Sequence, residues 1–386
     1  MTTVTNFPPI SLLDVRRQTA AIREEIDAAI ARVVDHGQFI MGPEVEMLED
    51  GIAKYCGVRF AIACASGSDA LLLPLMALGL EAGDRVVTTP FTFFATAGSI
   101  VRAGATPVFV DIEPETFNMA PEALERYLAN CTAAELRTVK AIIPVHLFGH
   151  CADMAAINNV AARFGIPVIE DAAQAIGAEH AGIRAGALGL CGAFSFFPSK
   201  NLGGCGDGGM ITTNDAELAA KLRLLRVHGS GATYFHKYVG INSRLDTLQA
   251  AFLLVKLRYL EEWTVGRRAN AAAYREYFAK TSSNSIRLPV ERPLMRHVYN
   301  QFTVRVGNRD EVRGRLTELG VASAIYYPLP LHLQECFAGL GYSSGDFPES
   351  EAAAREVLSL PIEPGVSPAD VRTVADRLLR ALQPTS

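Results

Sequence analysis

Between residues 11 and 34 apolar side chains recur at helical spacing among charged ones, at Leu13, Ile22, Ile26, Ile30 and Val33, which predicts amphipathic helix. A second helical segment is expected in "MGPEVEMLEDGIAKYCG", with Pro43 near its start and Gly57 just past its end, the punctuation helices prefer. The pattern then changes. Short apolar runs alternate with helical stretches: "RFAIACAS", helix 68–79, "DRVVTTP", helix 92–103, "TPVFVDI", helix 121–130, "VKAIIPVHLFG", helix 152–164, "IPVIEDAA", "GAFSFFP" and "GGMITTN". Runs that are apolar at consecutive positions suit strands buried on both faces. Strand and helix in turn predict an α/β fold with a mostly parallel sheet. A long helical segment, 244–280, leads out of this unit. The remainder ("IRLPVE", "YNQFTVRV", helix 309–319, "VASAIYYP", terminal helix 367–382) predicts a smaller α+β C-terminal domain. Pro74, inside "SDALLLPLMAL", removes a helix hydrogen bond and predicts a kink. The turn-rich "GYSSGDFPES", 341–350, predicts a surface loop. The chain shows no internal repeat.

With 386 residues, two domains are expected. A net charge of −5 and the lack of a long Lys/Arg run argue against a nucleic-acid partner. The start, "MTTVTNFPPISLLDVRRQ", has no basic stretch followed by a long apolar core, so no signal peptide is expected. Nor is any apolar stretch long enough to predict a membrane span. The seven cysteines are scattered, odd in number and never spaced C-x-x-C. That argues against a disulfide framework or a zinc site and points to a reducing, cytoplasmic setting.

The run "GCGDGG" matches G-x-G-x-x-G, but the dinucleotide fingerprint has meaning only between a strand and a helix. Here the glycines precede the β-like "GMITTND", so the nicotinamide reading is set aside. Other candidates sit where predicted strands end, the edge at which parallel sheets carry their sites. "ACASGSDALLL" ends a strand with Ser66, Gly67 and Ser68 and opens a helix. That is either an anion site at a helix N-terminus or plain N-capping. "IPVIEDAAQA" ends a buried strand with Glu170 and Asp171. These are either ordinary caps and surface acids or a carboxylate facing a buried cation, such as a pyridinium nitrogen. Lys200 follows among Phe196, Phe197, Pro198 and glycines, a setting that desolvates the amine and favours its nucleophilic free form. A lysine for a Schiff base, an acid for a ring nitrogen, and a helix terminus with Ser195 for a phosphate are together the set that pyridoxal 5'-phosphate (PLP) requires.

These residues lie in motifs that resemble the DegT/DnrJ/EryC1/StrS aminotransferases, PLP enzymes of the aspartate-aminotransferase fold type that act on nucleotide-linked keto sugars. The resemblance runs from "GQFIMGPEVEMLE" to "LPIEPGVSPADV" through "ASGSDAL", "PFTFFATA", "VFVDIEPETFNM", "PVHLFGH", "IPVIEDAAQAIGA", "FSFFPSKNLGGCGDGG", "RVHGS", "INSRLDTLQAA" and "YYPLPLHLQ". It implies an arm, 1–34, packing on the small domain, a large PLP-binding domain, 35–255, and a small C-terminal domain, 256–386. It implies that Lys200 forms the Schiff base and shuttles the proton. Asp171 then binds the pyridine nitrogen, Gln174 lies near the ring hydroxyl, and Phe93 stacks on the ring. Ser66, Gly67, Ser68 and Ser195 hold the phosphate. Asn242 reaches it from a neighbouring subunit, making a homodimer with shared sites. Arg244, Tyr327 and His332 face substrate. His146 ends its strand near the site, as a candidate or as a satisfied core histidine. No metal is implied.

The chain departs from many members at Tyr326, His150 and Asn300, where substrate contacts are expected. The implied reaction moves the amino group of L-glutamate to the keto group of a nucleotide-linked sugar by ping-pong chemistry. The favoured substrates are 3-keto sugars such as UDP-2-acetamido-3-keto-glucuronate or a dTDP-3-keto-6-deoxyhexose. Alternatives are a PLP-dependent sugar dehydratase or aminocyclitol-type synthase, against which the lysine argues, and a PLP-binding regulatory protein without turnover.

Overall fold

The computed structural model describes residues 7, 9–232, 234–281 and 285–383. Its larger sheet follows from the consecutive apolar runs. Strands Phe60–Cys64, Gly209–Thr213, Cys191–Ser195 and Ile169–Asp171 lie side by side in that order, and Val139–Ile142, Arg85–Thr88 and Thr106–Phe109 form a second group. Parallel bridges at Ile142–Val168 and Val145–Asp171 join the groups into one seven-strand surface. Gly209–Thr213 pairs antiparallel with both neighbours; the other pairings are parallel. Strand alternation divides the core. Ala61 and Ala63 pack with Leu48, Ile52 and Leu253 on one face, while Ile62 and Cys64 pack with Leu71 and Leu73 on the other. Strands Phe60–Cys64, Ile169–Asp171 and Cys191–Ser195 end at one edge of the sheet, where the site lies.

A second sheet, Ile286–Arg287, Phe302–Val306 and Val357–Leu360, is antiparallel. Its core includes side chains of helices Leu260–Ala279, Arg309–Glu318 and Pro368–Leu382.

Three local expectations need correction. The helical segment 244–280 is two helices, Thr247–Leu257 and Leu260–Ala279. The first packs on Arg23–His36 and Pro43–Cys56 and the second on Pro368–Leu382, and one straight rod does not serve both. "VASAIYYP" forms only single bridges at Val321 and Ala324; the strand is "VLSL", Val357–Leu360. Part of 341–350 is helical, because Pro348 opens the helix Pro348–Glu356.

The N-terminal arm divides. Ile10 bridges Val321 and the Asp14 N–H donates to Glu363, both on the C-terminal side. Helix Arg23–His36 instead buries Ile22, Ile26, Ala29 and Val33 against Ala251, Phe252 and Val255. Among the described residues, no helix is long and apolar enough to cross a membrane.

Candidate active site

A cavity of about 490 Å³ opens at the sheet edge where these strands end, lined in part by Ser66, Gly67, Ser68, Phe93, Asp171, Gln174, Ser195, Lys200 and Tyr327. Nine of the twelve residues singled out as site residues from the sequence therefore meet in one space.

The Ser66–Gly67–Ser68 turn caps its helix and lines the cavity. Ser66 is the N-cap of helix Gly67–Leu78, its Oγ accepting the Asp69 N–H at 3.1 Å. The first-turn N–H groups of Gly67 and Ser68 have no partner within the helix, and with the hydroxyls of Ser68 and Ser195 they face the cavity. A Cβ on Gly67 would lie 2.6 Å from Ser195 Cβ, so only glycine lets the two anion-facing segments approach this closely. Two glycines after Lys200 let the chain pack closely on itself. A Cβ on Gly209 would lie 2.3 Å from the Ser66 carbonyl oxygen, and one on Gly203 2.4 Å from that of Pro198.

Asp171 is buried at the strand end. Its Oδ2 accepts the Thr96 hydroxyl at 2.7 Å and its Oδ1 the Ala173 N–H at 3.2 Å. Burial pushes its carboxyl above the usual range, opposed by these two bonds and by the charge of Lys200. Burial also draws the Lys200 amine down to about 8, against the pull of Asp171. Each group is thus held toward its neutral form. In cofactor-free protein the reactivity of Lys200 toward an aldehyde reagent is therefore expected to rise with pH to a midpoint near pH 8, far below that of an exposed lysine (about 10.4). The unfolded chain holds this proton up to the higher value. Lys200 therefore makes cofactor-free protein more stable as pH rises from about 8 to about 10.4. Reagent kinetics and thermal unfolding across that window check both signs.

Glu170, its neighbour, points to the other side of the strand and is structural. Its Oε2 accepts the Gly186 N–H at 2.7 Å and its Oε1 the N–H groups of Leu188 and Gly189 at 2.8 and 2.7 Å. His146 Nδ1 accepts the Ala152 N–H at 3.1 Å, which leaves the proton on Nε2 to be donated to Glu170 at 3.0 Å. His146 is thus a satisfied core histidine. Glu170→Ala strands several buried donors at once, and chemical denaturation is expected to show a loss of about 3–5 kcal/mol.

Gln174 is held from both ends: its Oε1 accepts the Phe148 N–H at 2.7 Å and its Nε2 donates to the Tyr327 hydroxyl at 3.0 Å. Phe93 is no core ring; it is 57% exposed and faces the cavity. His332 is not brought to the cavity. It is buried against Phe347, with Nε2 3.2 Å from Glu351 Oε1; its place in a short helical turn points the ring inward. Asn242 is exposed and Arg244 half-buried, both outside the cavity of their own chain. Of the three departures noted above, Tyr326 lines the cavity. His150 does not: it is buried, with Nδ1 donating to the Cys151 carbonyl at 2.7 Å and Nε2 accepting the Arg292 N–H. Asn300 lies outside the cavity too. Sequence reasoning missed Thr96, and also Thr92, Ser199 and Gln301 in the wall. Thr92 and Thr96 stand four apart in "PFTFFATA", a helical-spacing signal that was available.

The DegT/DnrJ/EryC1/StrS aminotransferase family model matches residues 20–379. The chain belongs to that family. It is 48% identical, over 96% of this chain and 97% of the relative, to a protein of Geobacillus stearothermophilus named "Pleiotropic regulatory protein". It is 45% identical, over 96% of this chain and 99% of the relative, to the UDP-2-acetamido-2-deoxy-3-oxo-D-glucuronate aminotransferase of Pseudomonas aeruginosa. The crystal structure of S. venezuelae DesV superposes with a TM-score of 0.93 at 41% identity, covering 98% of this chain and 100% of that one. NtdA from Bacillus subtilis, solved with its cofactor PMP (pyridoxamine phosphate), superposes at 0.89 with 31% identity, covering 98% and 88%. The mostly parallel sheet with a smaller antiparallel one is the aspartate-aminotransferase-like fold of PLP fold type I.

Proposed function

We propose that this family member is a PLP-dependent aminotransferase that carries the amino group of L-glutamate to the keto group of a nucleotide-linked sugar, with a 3-keto sugar favoured. The observation that carries the reading is the convergence of Lys200, Asp171, the Ser66–Ser68 turn and Ser195 on one cavity. The donor set fits the cofactor. Asp171 keeps an unused lone pair on each oxygen for a ring nitrogen, the helix N-terminus and two hydroxyls suit a phosphate, and the amine of Lys200 suits an aldehyde. Thr96 and Ala173 keep the Asp171 carboxylate oriented, and Gln174 is positioned for the ring hydroxyl. Bound there, PLP supplies an electron sink for the carbon beside the amine.

The chain's own residues do the rest. Lys200 would hold the cofactor through Nζ. Its free amine would take the proton from the donor's Cα and, in the second half-reaction, deliver a proton to the sugar carbon that receives the amine. Its lowered basicity suits both tasks near neutral pH. Phe93 and Tyr327, with ring centroids 6.2 Å apart, exclude water from the same face. The preference for a 3-keto sugar rests on the Pseudomonas aeruginosa relative, whose name specifies a 3-oxo UDP-sugar. Asn242, exposed and outside its own cavity, serves the phosphate site of a second copy, which makes the working unit a dimer.

The test is a half-reaction. L-Glutamate should bleach the visible band of PLP-loaded protein with release of one equivalent of 2-oxoglutarate, and UDP- or dTDP-linked 3-amino sugars should bleach it too. A protein that binds PLP and releases no keto acid would instead match the regulatory name of the Geobacillus relative. Release of ammonia or water without amine transfer would favour a dehydratase.

A further inference from the structure

Beside the cavity, and sharing Ser199, Gln301 and Tyr326 with it, lies a small recess of about 40 Å³. Arg267, from helix Leu260–Ala279, lines it and is 3% exposed. Its Nη1 donates to the carbonyls of Tyr299 and Asn300 at 3.1 and 3.4 Å, while its Nε has no partner. The buried carboxylate of Glu363 acts on it through space, but among the described residues no carboxylate lies within ion-pair distance, so its hydrogen bonds go to main-chain carbonyls alone. A buried guanidinium satisfied only by main-chain carbonyls is costly unless an anion joins it. The side chains of Asn300 and Gln301 also carry unpartnered oxygens there. A terminal amide that turns about its last bond offers its NH₂ in place of that oxygen. Leu12, Leu13, Leu360 and Ile362 form the apolar part of the wall.

On the reading that Lys200 is the amine-exchange site, we propose that this recess takes a carboxylate of the amino-acid donor, held by Arg267 and Gln301. Ser199, next to Lys200 in the chain, lies in the wall of both spaces, so the recess adjoins the cavity at the residue preceding the reacting lysine. The recess accommodates about three waters, or one carboxylate, with the rest of the molecule lying in the larger cavity. A sugar acid carries a carboxylate of the same size, and the two arms of the experiment below separate that source from the donor. A donor held here is also selected for its carboxylate, so simple amines are excluded.

The experiment uses PLP-loaded protein and compares Arg267→Gln and Arg267→Lys with the unaltered chain in two single-turnover arms, one started with L-glutamate and one with a nucleotide-linked 3-amino sugar. The half-saturating glutamate concentration should rise about 100-fold in the Gln variant and less in the Lys variant, with the amino-sugar arm changed less than about threefold. Equal loss in both arms, or loss in the amino-sugar arm alone, overturns the proposal. A second measurement needs no turnover. Glutarate should raise the unfolding temperature of the cofactor-free unaltered protein and slow its reaction with L-glutamate competitively once PLP is restored. The thermal effect should vanish in the Gln variant, and its persistence there overturns the proposal. Failure of the function reading is distinguishable, because the unaltered, PLP-loaded protein would then transfer no amine in either arm.

Discussion

Lys200→Ala should reduce amine transfer by more than about 10⁴-fold, because one substitution removes both the covalent anchor and the proton carrier. The fold should survive it. Lys200 follows strand Cys191–Ser195 in the cavity wall, and truncating it removes a desolvated amine that is held near neutrality. The variant should therefore unfold at a temperature close to that of the parent, still take up PLP without covalent attachment, and lose the protein-linked visible band. Lys200→Arg separates the two roles. It keeps a cation near Asp171 but offers no nucleophile, so it should be as inactive as the alanine variant. Residual turnover within about tenfold of the parent in either variant would show that another residue moves the proton.

Asp171→Asn should lower the rate by about 10²–10³-fold, the loss typical when one preorganised electrostatic partner is removed from a dry site. The amide matches the carboxylate in shape, and Thr96 and Ala173 remain in place to orient it. What disappears is the negative charge that keeps a ring nitrogen protonated. The same charge raises the basicity of Lys200, so its midpoint, about 8 in the parent, should fall in the variant. Titrating the aldehyde reactivity of cofactor-free Asp171→Asn checks this independently of turnover. An unchanged midpoint would mean that the two groups do not sense one another across the cavity.

Much of this site was legible as chemistry before it was legible as geometry. Lys200 among aromatics and glycines, the acid at a strand end, and the serine-glycine helix start each carried a local signature, and the structure brings them to one cavity. His332 shows where that reasoning fails. It is polar and stands in a motif beside Tyr327, yet its ring turns into the core toward Glu351. Glu170 and Asp171 are adjacent and chemically alike. Strand alternation alone sends one to three backbone N–H groups and the other to the cavity.

From the chain alone came the order of strands and helices, the mostly parallel sheet, and the residue types suited to a phosphate, a ring nitrogen and an aldehyde. These are local properties: apolar period, turn chemistry, and the reactivity of one amine or acid in its immediate neighbourhood. Tertiary structure decided what depends on distant partners. It set the antiparallel course of Gly209–Thr213, which places a glycine against the Ser66 carbonyl. It assigned Thr96 to Asp171, 75 residues away. It also left the Arg267 guanidinium buried beside the cavity, hydrogen-bonded to two backbone carbonyls and within the field of Glu363 but not paired with it. Burial and partnership belong to pairs of segments, so no stretch of sequence read by itself contains them.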